Sequence, residues 1–498
     1  LDGFRLAAGG NGGSTWFAGS TQGSGSLVKQ GAGVLMLAGS NAHTGGTQVQ
    51  AGSLVLQGAQ ALAAGGAVQV DAGASLALQA AQAIGALSGD GAVQLGAFQL
   101  TNGAAADSLF SGTVGGSGGL AKVGAGRLTL AGANTFTGAV DVQAGTLALA
   151  GGAALADSVA VQVADMARLV AGTSETVGAL GGAGALVLDA GTFTTGGNGS
   201  STVFSGVISG AGRLAKAGSG SLTLAGTNTH TGGLALLGGS LVVAGDSALG
   251  AVPDADHPAS LLFDGGTLQA AGSFTIAPGR SLVLQGAGGT LQVDPGQVLS
   301  LPATLADGSS AGTLAKTGAG ALALTAAADS TRSGPTQVLA GTLALQRDGQ
   351  LGTPAGALVL DGGTLQVDQT LRLADARTLQ LGAAGGTLQV AGGATLAMGG
   401  LIQDATAGGG SLTKTGDGQW LLDGAADNTH TGATLLRGGS LALQRDGQLG
   451  AAPTVATPGQ LLIDGATLQI DGDTVLAATR GLALGRGGAT LQVADGRV

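Results

Sequence analysis

A chain of 498 residues with 101 glycines, 2% aromatic and 10% charged side chains and no cysteine cannot build a broad globular core around bulky residues, nor a disulfide framework. Its net charge is −10 and its cations are few and dispersed, which speaks against a nucleic-acid surface, and no apolar run approaches the roughly 20 residues of a membrane-spanning helix. With 44% hydrophobic residues it is also too apolar for disorder, which leaves a turn-rich structure with a thin, uniformly filled interior.

In chain order, Trp16 and Phe17 come first, near an N-terminal rung that has to be capped. A unit at 25–57, built around Lys29, follows and returns at 118–150, 212–244, 312–346 and 410–444 with Lys122, Lys216, Lys316 and Lys414. These five are the only lysines, separated by 93, 94, 100 and 98 residues, so one unit was duplicated and lysine belongs to it. Phe17, Phe110 and Phe204 keep register ahead of Gly19, Gly112 and Gly206; Ala306 and Asp404 take that place in the later units. After the lysine comes Asn-x-His, at Asn41 and His43, Asn228 and His230, and Asn428 and His430, with Asn134 and Phe136 in the second unit and Arg332 in the fourth. A shorter echo, GGTLQV or a near variant, recurs around Leu268, Leu291, Leu365, Leu388, Leu468 and Leu491.

Locally the pattern has a period of two. Leu35 and Leu37, Leu128 and Leu130, Leu222 and Leu224, and Leu322 and Leu324 alternate with small or polar residues and are closed by glycine turns, which reads as short strands. Glycine would cost about 1 kcal/mol at each interior helical position. A sandwich or propeller calls for aromatic signatures that are missing, whereas an all-β parallel β-helix calls for short strands, corner glycines, a thin aliphatic core and Asn ladders at its turns. At ~20–25 residues per rung and roughly 4.8 Å between strands, the expectation is a single solenoid domain over 1–498 with about 20–25 rungs, on the order of 100 Å long. Lys29 shares a strand face with Leu27, so its stem is expected along the interior near a corner, its head emerging to bond a turn carbonyl.

The motif GxLxKxGxGxLxLxGxNxHTG followed by AGTLxL resembles the autotransporter-associated β-strand repeat of type V secretion passenger domains in Gram-negative bacteria. The resemblance implies a right-handed parallel β-helix, exported and displayed at the cell surface or released, with the repeat assisting transport and rung stacking. The chain opens at Leu1 without a leader and ends at Val498 without barrel strands, so it is expected to be a passenger fragment. The signal peptide and C-terminal barrel would lie outside it, and the membrane would be met only through that barrel.

Chemistry is sparse. Asp254, Asp256 and His257 could be sketched as a metal site, but flanking prolines and the lack of further His or Cys favour a solvated loop; no metal or cofactor is expected. GDSALG at Gly245–Gly250 and GTSETV from Gly172 begin like serine-protease motifs and then lose the residues that shape an oxyanion hole. Trp420 is expected in the core. Arg347–Asp348 and Arg445–Asp446, in two copies of LALQRDGQLG, are the candidates for partner contact. The expectation is a monomeric, non-enzymatic surface protein that captures a host protein such as a complement regulator or plasma protease inhibitor. Sparse polar ladders tilt the reading that way; the alternative is an adhesin for host cells or matrix, or a self-associating one.

Overall fold

The computed structural model describes residues 1–253, 260–406 and 408–497; Asp254, Asp256 and His257 lie outside the described residues. The chain is an all-β parallel solenoid of about 23 turns. Its helical content among the described residues is three single 3₁₀ turns, Asp246–Leu249, Asp348–Leu351 and Asp446–Leu449. It divides into two compact units, one of Leu1–Leu241 with Ser247–Ala251 and one of Val242–Asp246 with Val252–Val498.

Within the first unit, strands Arg5–Ala8, Ser26–Lys29, Thr47–Val49 and Val68–Val70 stack in parallel so that Leu6, Leu27, Thr47 and Val68 form one inward column. Further along the same sheet, Leu128, Leu147, Leu169, Leu186 and Ile208 continue as another. In the second unit Leu299, Leu322, Leu343, Leu365 and Leu388 do the same. Each buried leucine contributes about 1.5–3 kcal/mol, and like-on-like stacking lets a narrow interior fill without aromatic bulk.

The GGTLQV echo is a strand with Leu and Val inward and Thr and Gln outward. Thr267–Ala270 pairs in register with Gly289–Val293, and Thr364–Val367 with Gly386–Val390. Trp420 lies in the column Leu396–Trp420–Leu441 and is buried. Trp16 does not cap the first rung. It pairs with Met36 on the outward face, is 67% exposed and donates its indole N–H to Gln57 at 3.2 Å, while Phe17 takes the inward place beside Leu37.

The Phe-x-Gly step has a steric cause. In the column Gly91–Gly112–Gly132, a Cβ on Gly112 would run into the Gly91 carbonyl and the tip of the Phe110 ring, and a Cβ on Gly132 into the Gly112 carbonyl. The corner is therefore as narrow as backbone contact allows. Gly112→Ala should cost at least about 2 kcal/mol by overpacking, read as a lowered urea midpoint with an unchanged slope.

Candidate functional site

The five lysines share one geometry. Each stands in an inward column: Ala8–Lys29–Val49, Asn102–Lys122–Val142, Thr195–Lys216–Leu236, Leu291–Lys316–Val338 and Leu388–Lys414–Leu436. All are at most 2% exposed, so the heads do not emerge. The Lys29 ammonium donates to the carbonyls of Gln30 at 2.8 Å, Gly31 at 2.7 Å and, one turn on, Ala51 at 3.0 Å. Lys216 holds Ala217, Gly218 and Gly238, Lys316 holds Thr317, Gly318 and Ala340, and Lys414 holds Thr415, Gly416 and Gly438.

The second position after these lysines explains the motif Lys-x-Gly. Gly31, Gly218, Gly318 and Gly416 are left-handed, with φ of 65–73°, which goes with two successive carbonyls meeting the ammonium. In the second unit Gly124 is not left-handed, and Lys122 bonds only the Gly124 and Ala144 carbonyls. An ammonium has three donors and no acceptor, so three carbonyls saturate it without a carboxylate. Burial pushes all five amines down, Lys316 and Lys414 to about 8.

The repeat asparagines act similarly between turns. Asn134 Oδ1 accepts the Val114 N–H at 2.7 Å on the preceding turn, and its Nδ2 donates to Ala154 at 2.7 Å on the following one. Asn41 joins Thr21 to Ala61, Asn228 joins Ile208 to Ala248, and Asn428 joins Ile402 to Gln448. The expected ladder of stacked Asn side chains is replaced by single asparagines that read backbone above and below. The unit recurs over several turns, so its asparagines never stand over one another.

The histidine place is interior in all five copies: His43, Phe136, His230, Arg332 and His430 are at most 2% exposed. His43 sits between the Thr21 and Thr47 hydroxyls, at 2.8 and 3.0 Å. Burial lowers the His430 pKa to about 4, against weaker opposing pulls from Asp404 and the Ile402 carbonyl. The serines of the two protease-like motifs are ordinary turn residues; Ser174 Oγ accepts the Thr192 N–H, and the Ser247 carbonyl accepts that of Asn228.

Of the pairs Arg347–Asp348 and Arg445–Asp446, the aspartates are turned inward and the arginines are partly exposed. Asp348 receives buried Arg377 through two hydrogen bonds, at 2.6 and 3.0 Å, and Arg377 also saturates the carbonyls of Gly352, Thr353 and Gly356. Asp446 receives buried Arg480 at 2.8 and 3.1 Å, and Asp246 receives Arg280 likewise. Arg347 and Arg445 remain about one-third exposed or more, yet both reach back to carbonyls of the preceding turn, Ala326 and Gly424, and to Asp329 and Asp427. Sequence reasoning missed Arg280, Arg377 and Arg480. Their signal was the third echo IAPGR, LADAR and LAATR, downstream of each Asp-bearing 3₁₀ turn.

Polar side chains of the unit are thus consumed inside the solenoid, and its outward positions do not line up. Trp16, Leu109 and Val203, equivalent in three units and all more than half exposed, stand on three different sheets. One continuous outward row runs across both kinds of repeat: Thr342, Thr364, Thr387 and Thr413 form it, the middle two from the short echo and the outer two from the long unit, with Ala344, Gln366, Gln389 and Thr415 beside it.

The passenger-associated-transport-repeat family matches at 27–56, 120–149, 214–243, 311–345 and 412–443, the stretches that hold the lysine clip and the strands around it. The chain is an autotransporter passenger segment. It is 34% identical over 193 residues to the adhesin BmaC autotransporter of Brucella suis biovar 1 (strain 1330), a match covering 37% of this chain and 5% of that protein. The passenger chain therefore corresponds to a small part of the curated relative's length. No solved structure gives a significant match. Passenger membership places the chain at the bacterial surface or released from it.

Lys316→Met keeps the apolar stem and strands the Thr317, Gly318 and Ala340 carbonyls; the expected loss is about 3 kcal/mol, read by equilibrium denaturation. His430 is held below its ordinary pKa, so on acidification the unfolded chain takes up the proton first. Stability should fall as pH drops from about 6.5 to about 4, by up to about 3 kcal/mol, and His430→Phe, the choice already made at Phe136, should remove that part of the slope.

Proposed function

We propose that the passenger segment is a non-catalytic adhesive surface whose outward Thr and Gln rows contact host cell-surface or matrix protein. The observation carrying this reading is the in-register row Thr342–Thr364–Thr387–Thr413 with Gln366 and Gln389 alongside. It is a flat array of hydroxyl and amide groups whose spacing is fixed by the solenoid and whose ordering entropy is already spent. The adhesin name of the relative supports the same direction. Capture of a soluble host protein, such as a complement regulator or plasma protease inhibitor, drew its weight from sparse polar ladders; the threonine row weakens it.

The test is saturable binding of the purified chain to epithelial cells and to immobilised matrix proteins, beside a serum pull-down. Thr364→Lys with Thr387→Lys should reduce cell or matrix binding at least tenfold while leaving the thermal midpoint within the scatter of surface substitutions. One stoichiometric serum protein with no cell or matrix binding would overturn the adhesive reading in favour of capture.

A further inference from the structure

Four turns of the solenoid share a left-handed position filled by glycine: Gly73, Gly296, Gly393 and Gly496, with φ of 76°, 75°, 81° and 75°. The turn Ala164–Ala167 is built the same way, closed by the same backbone hydrogen bond from its fourth residue to its first, but carries Met166 at φ 63°. Met166 is the one non-glycine residue at positive φ among the described residues. An L side chain is strained there. The Asp165 carboxylate accepts the Met166 N–H at 3.0 Å, but the side chain packs against nothing: Met166 is 94% exposed, and a Cβ at any of the four glycines meets no atom within 4 Å.

The surroundings of Met166 are equally unusual. Arg168, two residues on, is exposed and shares an outward row with Arg127 on the same sheet. Among the described residues neither guanidinium is in an ion pair; Arg127 reaches only the Thr129 hydroxyl, at 3.4 Å. Cations of this kind are scarce. The five lysines are buried, so the outer surface is more acidic than the net charge of −10 suggests.

The second unit carries the complement. Its outward row begins Ser300–Ala323–Ala344 before turning to Gln366, and the two alanines leave a cleft of about 170 Å³. Ala323, Ala344, Thr325, Gln346 and Gln369 line it with the edges of buried Leu324 and Leu345, and exposed Asp368 also faces it, its carboxylate met by the Gln366 amide at 2.9 Å and, among the described residues, by no cation.

We propose that Met166 is an anchor that inserts into the Asp368 cleft of a second copy of this chain, with Arg168 pairing to that Asp368. An unbranched, polarisable thioether suits a shallow cleft with alanines on one side and amides on the other, and the pairing of an unmatched cation with an unmatched carboxylate sets the orientation. Anchor and cleft are different surfaces of one chain, so the contact is heterologous and propagates into rings or open chains rather than stopping at a symmetric pair. This inference does not rest on the adhesive reading, whose test substitutes Thr364 and Thr387.

The experiment is sedimentation velocity of the purified chain over a range of concentrations at low, intermediate and high ionic strength. The parent should grow in average mass with concentration, most at intermediate salt, where the general repulsion between two acidic copies is screened before the close Arg168–Asp368 pair is, and lose that growth at high salt. Met166→Gly should shift the association midpoint at least tenfold upward while its thermal midpoint stays equal or rises, since glycine is what the turn elsewhere uses. Arg168→Asp and Asp368→Arg should each weaken association, and the two together in one chain should restore it. A parent that stays monomeric throughout, a Met166→Gly chain that associates like the parent, or a double exchange that restores nothing would each overturn the proposal.

Discussion

A solenoid of mostly three- to five-residue strands spends much of its backbone in turns, and carbonyls at those turns that point inward have no strand partner. Left unpaired away from water, each would cost on the order of 1–3 kcal/mol, once per corner along the whole chain. The buried lysine answers this at the corners of the duplicated unit. Its stem takes an inward column position, between two leucines at Lys414, and its head meets carbonyls of its own turn and of the next. Burying an unpaired cation is ordinarily prohibitive; here matched donors and acceptors make it tenable, at the price of lowered amine pKa values.

The same need recurs with other chemistries. Asn134 and its equivalents satisfy an N–H above and a carbonyl below. Arg377 and Arg480 satisfy both an aspartate and the carbonyls around a 3₁₀ turn. The histidine place accepts imidazole, phenyl or guanidinium because its first requirement is volume, the polar contacts of His43 and Arg332 being added where hydroxyls or carbonyls lie in reach. Each device ties adjacent turns, so register is fixed locally and the interior tolerates drift in sequence. The consequence is a separation of duties within each turn: inward positions hold the scaffold, and outward positions are left to meet partners.

Much of this was legible in the sequence. Period-two leucines, corner glycines and the lysine interval gave a parallel β-solenoid, and Lys-x-Gly with Asn-x-His marked the unit. What escaped was the destination of the polar groups. Nothing in the pattern around Lys29 distinguishes an ammonium that reaches solvent from one that turns inward, because the deciding factor is the set of carbonyls that the lysine's own turn and the next one present to it. Arg347–Asp348 read as an exposed pair because Arg377, which claims the aspartate, lies a full turn downstream. Trp16 misled for the opposite reason: a one-residue step in a strand exchanges inside for outside, and Phe17 took the inward place.

The most direct test of the clip is to count reactive amines. The chain has five lysines and one α-amine, so saturating native protein with an amine-acylating reagent and weighing it intact reports how many heads are accessible. The account predicts that the folded chain takes a single acyl group, at Leu1, and that the five lysines react only after denaturation. Rapid acylation of several lysines in the folded chain would contradict it.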